Sequence, residues 1–400
     1  MNKPGSFHAI LLFLGVALLP VYIFGSGAAQ PTHIALALFA GTVWLTTHIA
    51  LDRWSFLLLL LAVYGALVEL LYVVVGSDPE NLIHAVFLLY NFVIPYAVYA
   101  YCVRHGDRAI AHGLIFATAI AIGTVLLNGI ELQAIGRTMR ETGSFNNPNQ
   151  LGYFAVCLLS LTYLLRLRGA YGNLVTIAFY GAAVFLAIAS LSKAAMIATF
   201  AVIFFASKPR LSRNYVAAWF FAVVGAIALL LAAYQSGYLD QYLFMQRLDG
   251  IMTEGDSSLA SRGYFAFLQG NAIQTFLGLG AENVNDLIGH EVHSTFFSIL
   301  SNYGLVGFTL LLAVMVVWFK SLWRTYGFIG LVCIAGPSML YGVTHNGSRF
   351  TIFWILFALS LVPLPAVRRA ALQSSAGPAS GPQPRQPLAG APVAYPATRP

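Results

Sequence analysis

Charge is what this chain of 400 residues has least of: 9% of its residues are Asp, Glu, Lys or Arg, against 59% hydrophobic ones and a mean hydropathy of +0.77. A soluble globular domain carries roughly 25% charged residues, so scarcity on this scale excludes that class. Cysteine is sparse too. Cys102, Cys157 and Cys333 fall within or at the ends of apolar runs, an odd number without metal-ligand spacing. That excludes a disulfide framework and a cysteine metal cluster, and the three read as small buried apolar side chains. The net charge of +7 comes from basic residues scattered singly rather than gathered in the patch that nucleic acid needs.

What the chain does have is long apolar runs. Runs of about 18 residues or more recur, each long enough to cross a hydrocarbon core of roughly 30 Å. The first, from His8 to Phe24, follows one lysine and has no small-residue cleavage site after it, so a retained span is expected rather than a removed leader. Twelve spans are predicted: 7–25, 33–51, 54–75, 82–102, 109–130, 150–167, 172–190, 193–207, 214–235, 294–319, 327–345 and 349–366. The stretch 172–207 is too long for one crossing at about 1.5 Å per residue, and "SLSK" at 190–193 is its expected break. The expected class is therefore an all-α, polytopic integral membrane protein.

Charge supports the twelve-span threading. With the N-terminus in the cytoplasm, the inner loops hold Arg53, Arg104, Arg108, Arg166, Arg168, Lys208, Arg210, Arg213, Lys320, Arg324, Arg368 and Arg369. Outside lie only Arg137, Arg140, Lys193, Arg247, Arg262 and Arg349, as the positive-inside rule requires. Both termini are then cytoplasmic. Two outer loops are long, 131–149 and about 236–293, and function is expected there. Residues 1–370 read as one transmembrane domain, and 371–400, rich in Pro, Ala, Gly, Ser and Gln, as a disordered cytoplasmic tail.

Ionisable groups gather at "HEVHSTFFSILSNYGLVG", 290–307, the end of the larger loop. His290 and His293 are three apart rather than the four of HExxH and have no obvious third ligand, so no metal is expected. His293, at a span start beside arginines, reads as a general base or as a plain structural histidine. The segment 259–273 has helical potential and carries Arg262, a surface arginine or a clamp for phosphate oxygens. Lys193 at the break either snorkels or binds an anion in an interrupted span. Arg137 and Arg140 precede "GSFNNPNQLGY" (143–153), where Pro148 or Asn149 should start the sixth span. His345 and Arg349 in "THNGSR" either cap helix ends or line the same vestibule. Glu69, the only acid well inside a predicted span, either floors an outward cavity or is structural.

"GSFNNPNQLGYF", "SLSK", "ASRGYF", "FLGLGAEN" and "HSTFFSILSNYGLVG" together resemble the O-antigen ligase family and its polymerase relatives. The likeness in span number and in the large loop before the tenth span extends over most of the chain. Lys193 departs from the family, whose members usually show Ser-Arg at the break. It keeps the charge and loses the planar fork. The resemblance implies a GT-C-like membrane glycosyltransferase on the periplasmic face of a Gram-negative inner membrane. It implies transfer of O-antigen glycan from undecaprenyl diphosphate to a sugar hydroxyl of lipid A–core oligosaccharide, with inversion, no cofactor and no metal. His293 would be the base, and Arg262, Lys193 and one or more of Arg137, Arg140 and Arg247 the diphosphate clamp, with His290, Glu69, His345 and Arg349 in support. Rival readings are an O-antigen polymerase, a protein O-oligosaccharyltransferase, or, in a different class, a lipid or solute transporter. A transporter would place its polar groups near the midplane rather than at the outer rim.

Overall fold

The computed structural model describes residues 4–25, 28–47, 50–76, 78–127, 142–207, 259 and 261–364. The expected span 214–235, the tail 371–400, and Arg137, Arg140 and Arg247 lie outside them. The described residues are helical throughout, without strands. The run is α1 Pro4–Ala17, α2 Pro31–Thr46, α3 Arg53–Val74, α4 Asn81–His105, α5 Arg108–Leu127, α6 Pro148–Arg168, α7 Asn173–Ala189 and α8 Lys193–Ser207. It continues with short α9 Ala272–Leu277 and α10 Ala281–Ile288, then α11 Thr295–Ile334, α12 Gly336–Thr344 and α13 Thr351–Leu361.

Five of these, α3, α4, α5, α6 and α11, are long and apolar enough to cross a membrane. The expected spans 7–25, 33–51, 172–190 and 193–207 meet shorter helices, whereas 327–345 falls across the end of α11 and α12, because α11 continues through 320–326, where a loop was expected. At 15 residues, α8 reaches about 22 Å, short of a full hydrocarbon core. The break before it is present: Leu191 stands at φ 49, the one non-glycine positive φ among the described residues. A bulky side chain takes that conformation only where its surroundings impose it.

α6 is the central post. In its most apolar stretch 89% of residues are buried, against 33–44% in the other long helices. Asn147 caps it by accepting from the Gln150 amide at 2.9 Å, with Pro148 in the first turn. Hydroxyls inside the helices return to the backbone of the preceding turn, as Thr162 does to the Leu158 carbonyl at 2.7 Å and Thr118 to Leu114 at 2.8 Å. In an apolar surround a hydroxyl has no water to turn to. Outward-facing Leu45, Val74, Leu174 and Val316 are exposed, as lipid-facing side chains would be. The three cysteines are buried and unpaired.

The two ends of the bundle differ in charge. At one end Arg168 donates to Asp107 at 2.8 Å and to the Val362 carbonyl at 2.8 Å, while Arg104 donates to Thr47 at 3.1 Å. Tyr326 also reaches Arg168, which places Lys320 and Arg324 nearby. At the opposite end lie the starts of α6, α8 and α11 and the turn 345–349.

Two expectations need correction. The segment 259–273 is not one helix: it turns at Gly263, forms a single 3-10 turn over Ala266–Leu268, and restarts at Asn271, whose side chain caps α9. Gly263 stands at φ +72, and a Cβ there would lie 2.4 Å from Ile288, so glycine suits the turn that replaces the expected helix. Arg262 therefore sits in a turn. The span 294–319 is also interrupted, at Gly304, where φ is 62; α11 bends again at Gly327, φ 70.

Candidate functional site

The break at Gly304 builds the site. Ending the helical path at Tyr303 frees the carbonyls of Ser301 and Asn302 from their partners in the next turn. Leu279 and Gly280 donate to them at 3.0 and 2.9 Å. The two backbones meet so closely that a Cβ on Gly304 would lie 2.4 Å from the Phe276 carbonyl oxygen, and one on Gly278 2.3 Å from that of Asn302. Residues 295–303 thus form a half-helix with the loop 276–281 docked across its end.

α3 holds the same loop from beneath. Tyr64 donates to the Leu277 carbonyl at 2.6 Å, and Tyr72 to that of Gly278 at 2.9 Å. Glu69 is fully buried and accepts the Ala281 amide at 3.1 Å on both carboxylate oxygens, with the Tyr303 hydroxyl also in reach. Ala281 is the first residue of α10, so Glu69 satisfies an otherwise unpaired helix-start amide. From α4, Asn81 accepts the Glu282 amide at 3.2 Å, and His84 pairs with the Glu282 carboxylate at 3.3 Å.

At the other end of this loop stand the histidines. The His290 and His293 rings stack 5.2 Å apart with 12° between planes. His290 Nδ1 meets the Glu291 carbonyl at 2.8 Å; a carbonyl can only accept, so this nitrogen carries the proton. His293 is exposed, and its amide donates to the Arg262 carbonyl at 3.1 Å. Partial burial holds the His293 pKa below its ordinary value, the charges of His290 and Arg262 push the same way, and Glu291 opposes them. A neutral imidazole near pH 7 follows. Arg262 reaches the Tyr264 side chain and has no carboxylate partner among the described residues.

Ser294 and Thr295, directly after His293, fasten the last turn. Ser294 caps α11 and donates to the Gly342 carbonyl at 3.2 Å. Thr295 Oγ1 accepts the Gly347 amide at 2.8 Å, and the Thr295 amide donates to the His345 carbonyl at 3.3 Å. His345 stacks on Tyr341 at 4.5 Å, and Arg349 pairs with Glu291. His290, His293, Arg262, His345 and Arg349 are thereby gathered around one helix mouth. Lys193 begins α8, which packs against α6 and α12 at the same end of the bundle. A Cβ on Gly152 of α6 would lie 3.0 Å from the Ser190 and Ser192 side chains of the break.

The residues that sequence reasoning missed are Tyr264, Tyr72, Asn81, His84 and the Glu291–Arg349 pair. One pattern pointed to part of this. Gly65, Glu69 and Tyr72 lie at i, i+4 and i+7, one face of α3, and a polar stripe on an apolar span asks for a polar partner. No protein-family model matches the chain, and no curated protein matches it either.

Proposed function

We propose that this protein transfers a glycan from undecaprenyl diphosphate to a sugar hydroxyl of lipid A–core oligosaccharide at the periplasmic face of a bacterial inner membrane. The observation that carries the reading is the exposed His293, stacked on His290 and bonded through its amide to Arg262, at the start of a half-helix.

The chemistry needs a base and a fixed cation. His293 takes the proton of the acceptor hydroxyl as its oxygen bonds to the anomeric carbon and the carbon–oxygen bond to the diphosphate breaks. Attack opposite the leaving group inverts that carbon. The electron pair leaves with undecaprenyl diphosphate, and Arg262, free of a carboxylate among the described residues, meets the growing charge. Lys193, set beside a strained turn, is the second cation. The strain at Leu191 supports a functional break, since such conformations collect at working sites. Two lipid-anchored reactants held at one mouth supply the remaining rate through orientation.

The test is reconstitution of the purified protein with undecaprenyl diphosphate–linked glycan and lipid A–core, with products read on a gel. Glycan-bearing lipid A–core is the expected product. Folded protein that forms none, or that only lengthens the lipid-linked glycan, contradicts the ligase reading.

A further inference from the structure

At the arginine-rich end, opposite His293, the structure holds a cavity of about 740 Å³ that the proposed reaction does not use. It opens between α1, α2, α4 and α5. Around it stand Arg104, Arg108, His8, His105 and His112, with the Thr46 and Thr47 hydroxyls, and no acidic residue lines it among the described residues. We propose that this cavity binds the phosphodiester headgroup of an anionic membrane phospholipid.

Three observations point there. The first is charge without a counter-charge. Asp107 lies in the same turn as both arginines, yet it pairs with Arg168 at 2.8 Å, and neither Arg104 nor Arg108 has a carboxylate partner among the described residues. Arg104 is held instead by the Thr47 hydroxyl, which leaves most of its donors open. Topology alone asks for positive charge in this turn. It does not ask for a cavity or for the nearest acid to be turned away.

The second is depth. α2 ends at Thr46, α4 ends at His105 and α5 begins at Arg108, so the cations ring the helix ends, where headgroups lie. The third is the wall. Below the cations the cavity is lined by Ala9, Phe13, Val43 and Tyr101, and the outer flanks of α1 and α5 expose Phe7, Ile10 and Phe116. A basic mouth over an apolar wall, with the lining Ile10 itself exposed, suits a headgroup with its acyl chains, and basic pockets between spans are where such headgroups bind. A soluble anion has no use for that wall.

The test uses the purified full-length protein in neutral detergent, titrated with dioleoylphosphatidylglycerol or dioleoylphosphatidylcholine, with bound lipid counted by native mass spectrometry. The wild type is expected to retain the anionic lipid over the zwitterionic one by roughly tenfold. Arg104→Gln with Arg108→Gln should erase the preference. Lys320→Gln with Arg324→Gln, at the same end but outside the cavity, should leave it intact. Arg104→Lys with Arg108→Lys keeps the loop's charge, and so its topology, but loses the planar fork; it should fall between. Equal retention of both lipids by the wild type overturns the proposal, as does an unchanged preference in the glutamine variant. Displacement of bound phosphatidylglycerol by millimolar inorganic phosphate would make this a soluble-anion site and overturn the lipid assignment.

Discussion

His293 combines three influences that a histidine alone does not have. Partial burial disfavours its charged form, His290 and Arg262 repel a proton, and Glu291, the one opposing charge, is engaged by Arg349. On the proposed function His293 works only when deprotonated, and the shift is downward, so activity should persist below the ordinary histidine range. The acid limb of the rate–pH profile is therefore expected below pH 6.5. His290→Ala removes a repelling neighbour, which lets the His293 pKa rise and should move that limb to higher pH. A limb that stays in place would show that His290 does not tune its neighbour.

At the scale of elements, the two positive-φ glycines of α11 make opposite demands. Gly304 has backbone within 2.6 Å of where a Cβ would stand, whereas Gly327 has nothing within 4 Å. Gly327→Ala should cost only its positive-φ extended conformation (φ 70, ψ −173), about 1–3 kcal/mol. Gly304→Ala should cost more and should undock the loop 276–281, seen as a lower melting midpoint in detergent and faster proteolysis near Leu277. Similar losses in both would contradict the docking account. Apolar runs and a single lysine made most helices legible in the sequence, including the break before Lys193. The interruption at Gly304 was not legible as one, because glycine inside an apolar run reads equally well as close packing. The expected helix over 259–273 failed at Gly263, where Ile288, some 25 positions on, leaves no room for a side chain. The histidines, Arg262 and the last turn were legible as candidates. What brought them together was not, since Ser294 and Thr295 act through backbone groups of 342–347 that carry no side-chain mark.

For the whole molecule, the two ends are held by different kinds of ion pair. Arg168 and Asp107 keep side-chain exposures of 3% and 15%, whereas Arg349 and Glu291 keep 39% and 37%. Asp107→Ala strands a buried guanidinium, and the expected loss is about 3–5 kcal/mol. Glu291→Ala breaks an exposed pair, and its loss should stay within roughly 1 kcal/mol. Chemical or thermal unfolding in detergent separates the two, and equal losses would contradict the burial argument. On the proposed function, the end opposite that buried pair carries the reaction. The most direct test of that claim is the transfer rate of His293→Ala beside the wild type, each checked for an unchanged melting midpoint. A loss of roughly a hundredfold to ten-thousandfold in glycan transfer to lipid A–core is expected. Transfer at the wild-type rate by the folded variant would contradict it.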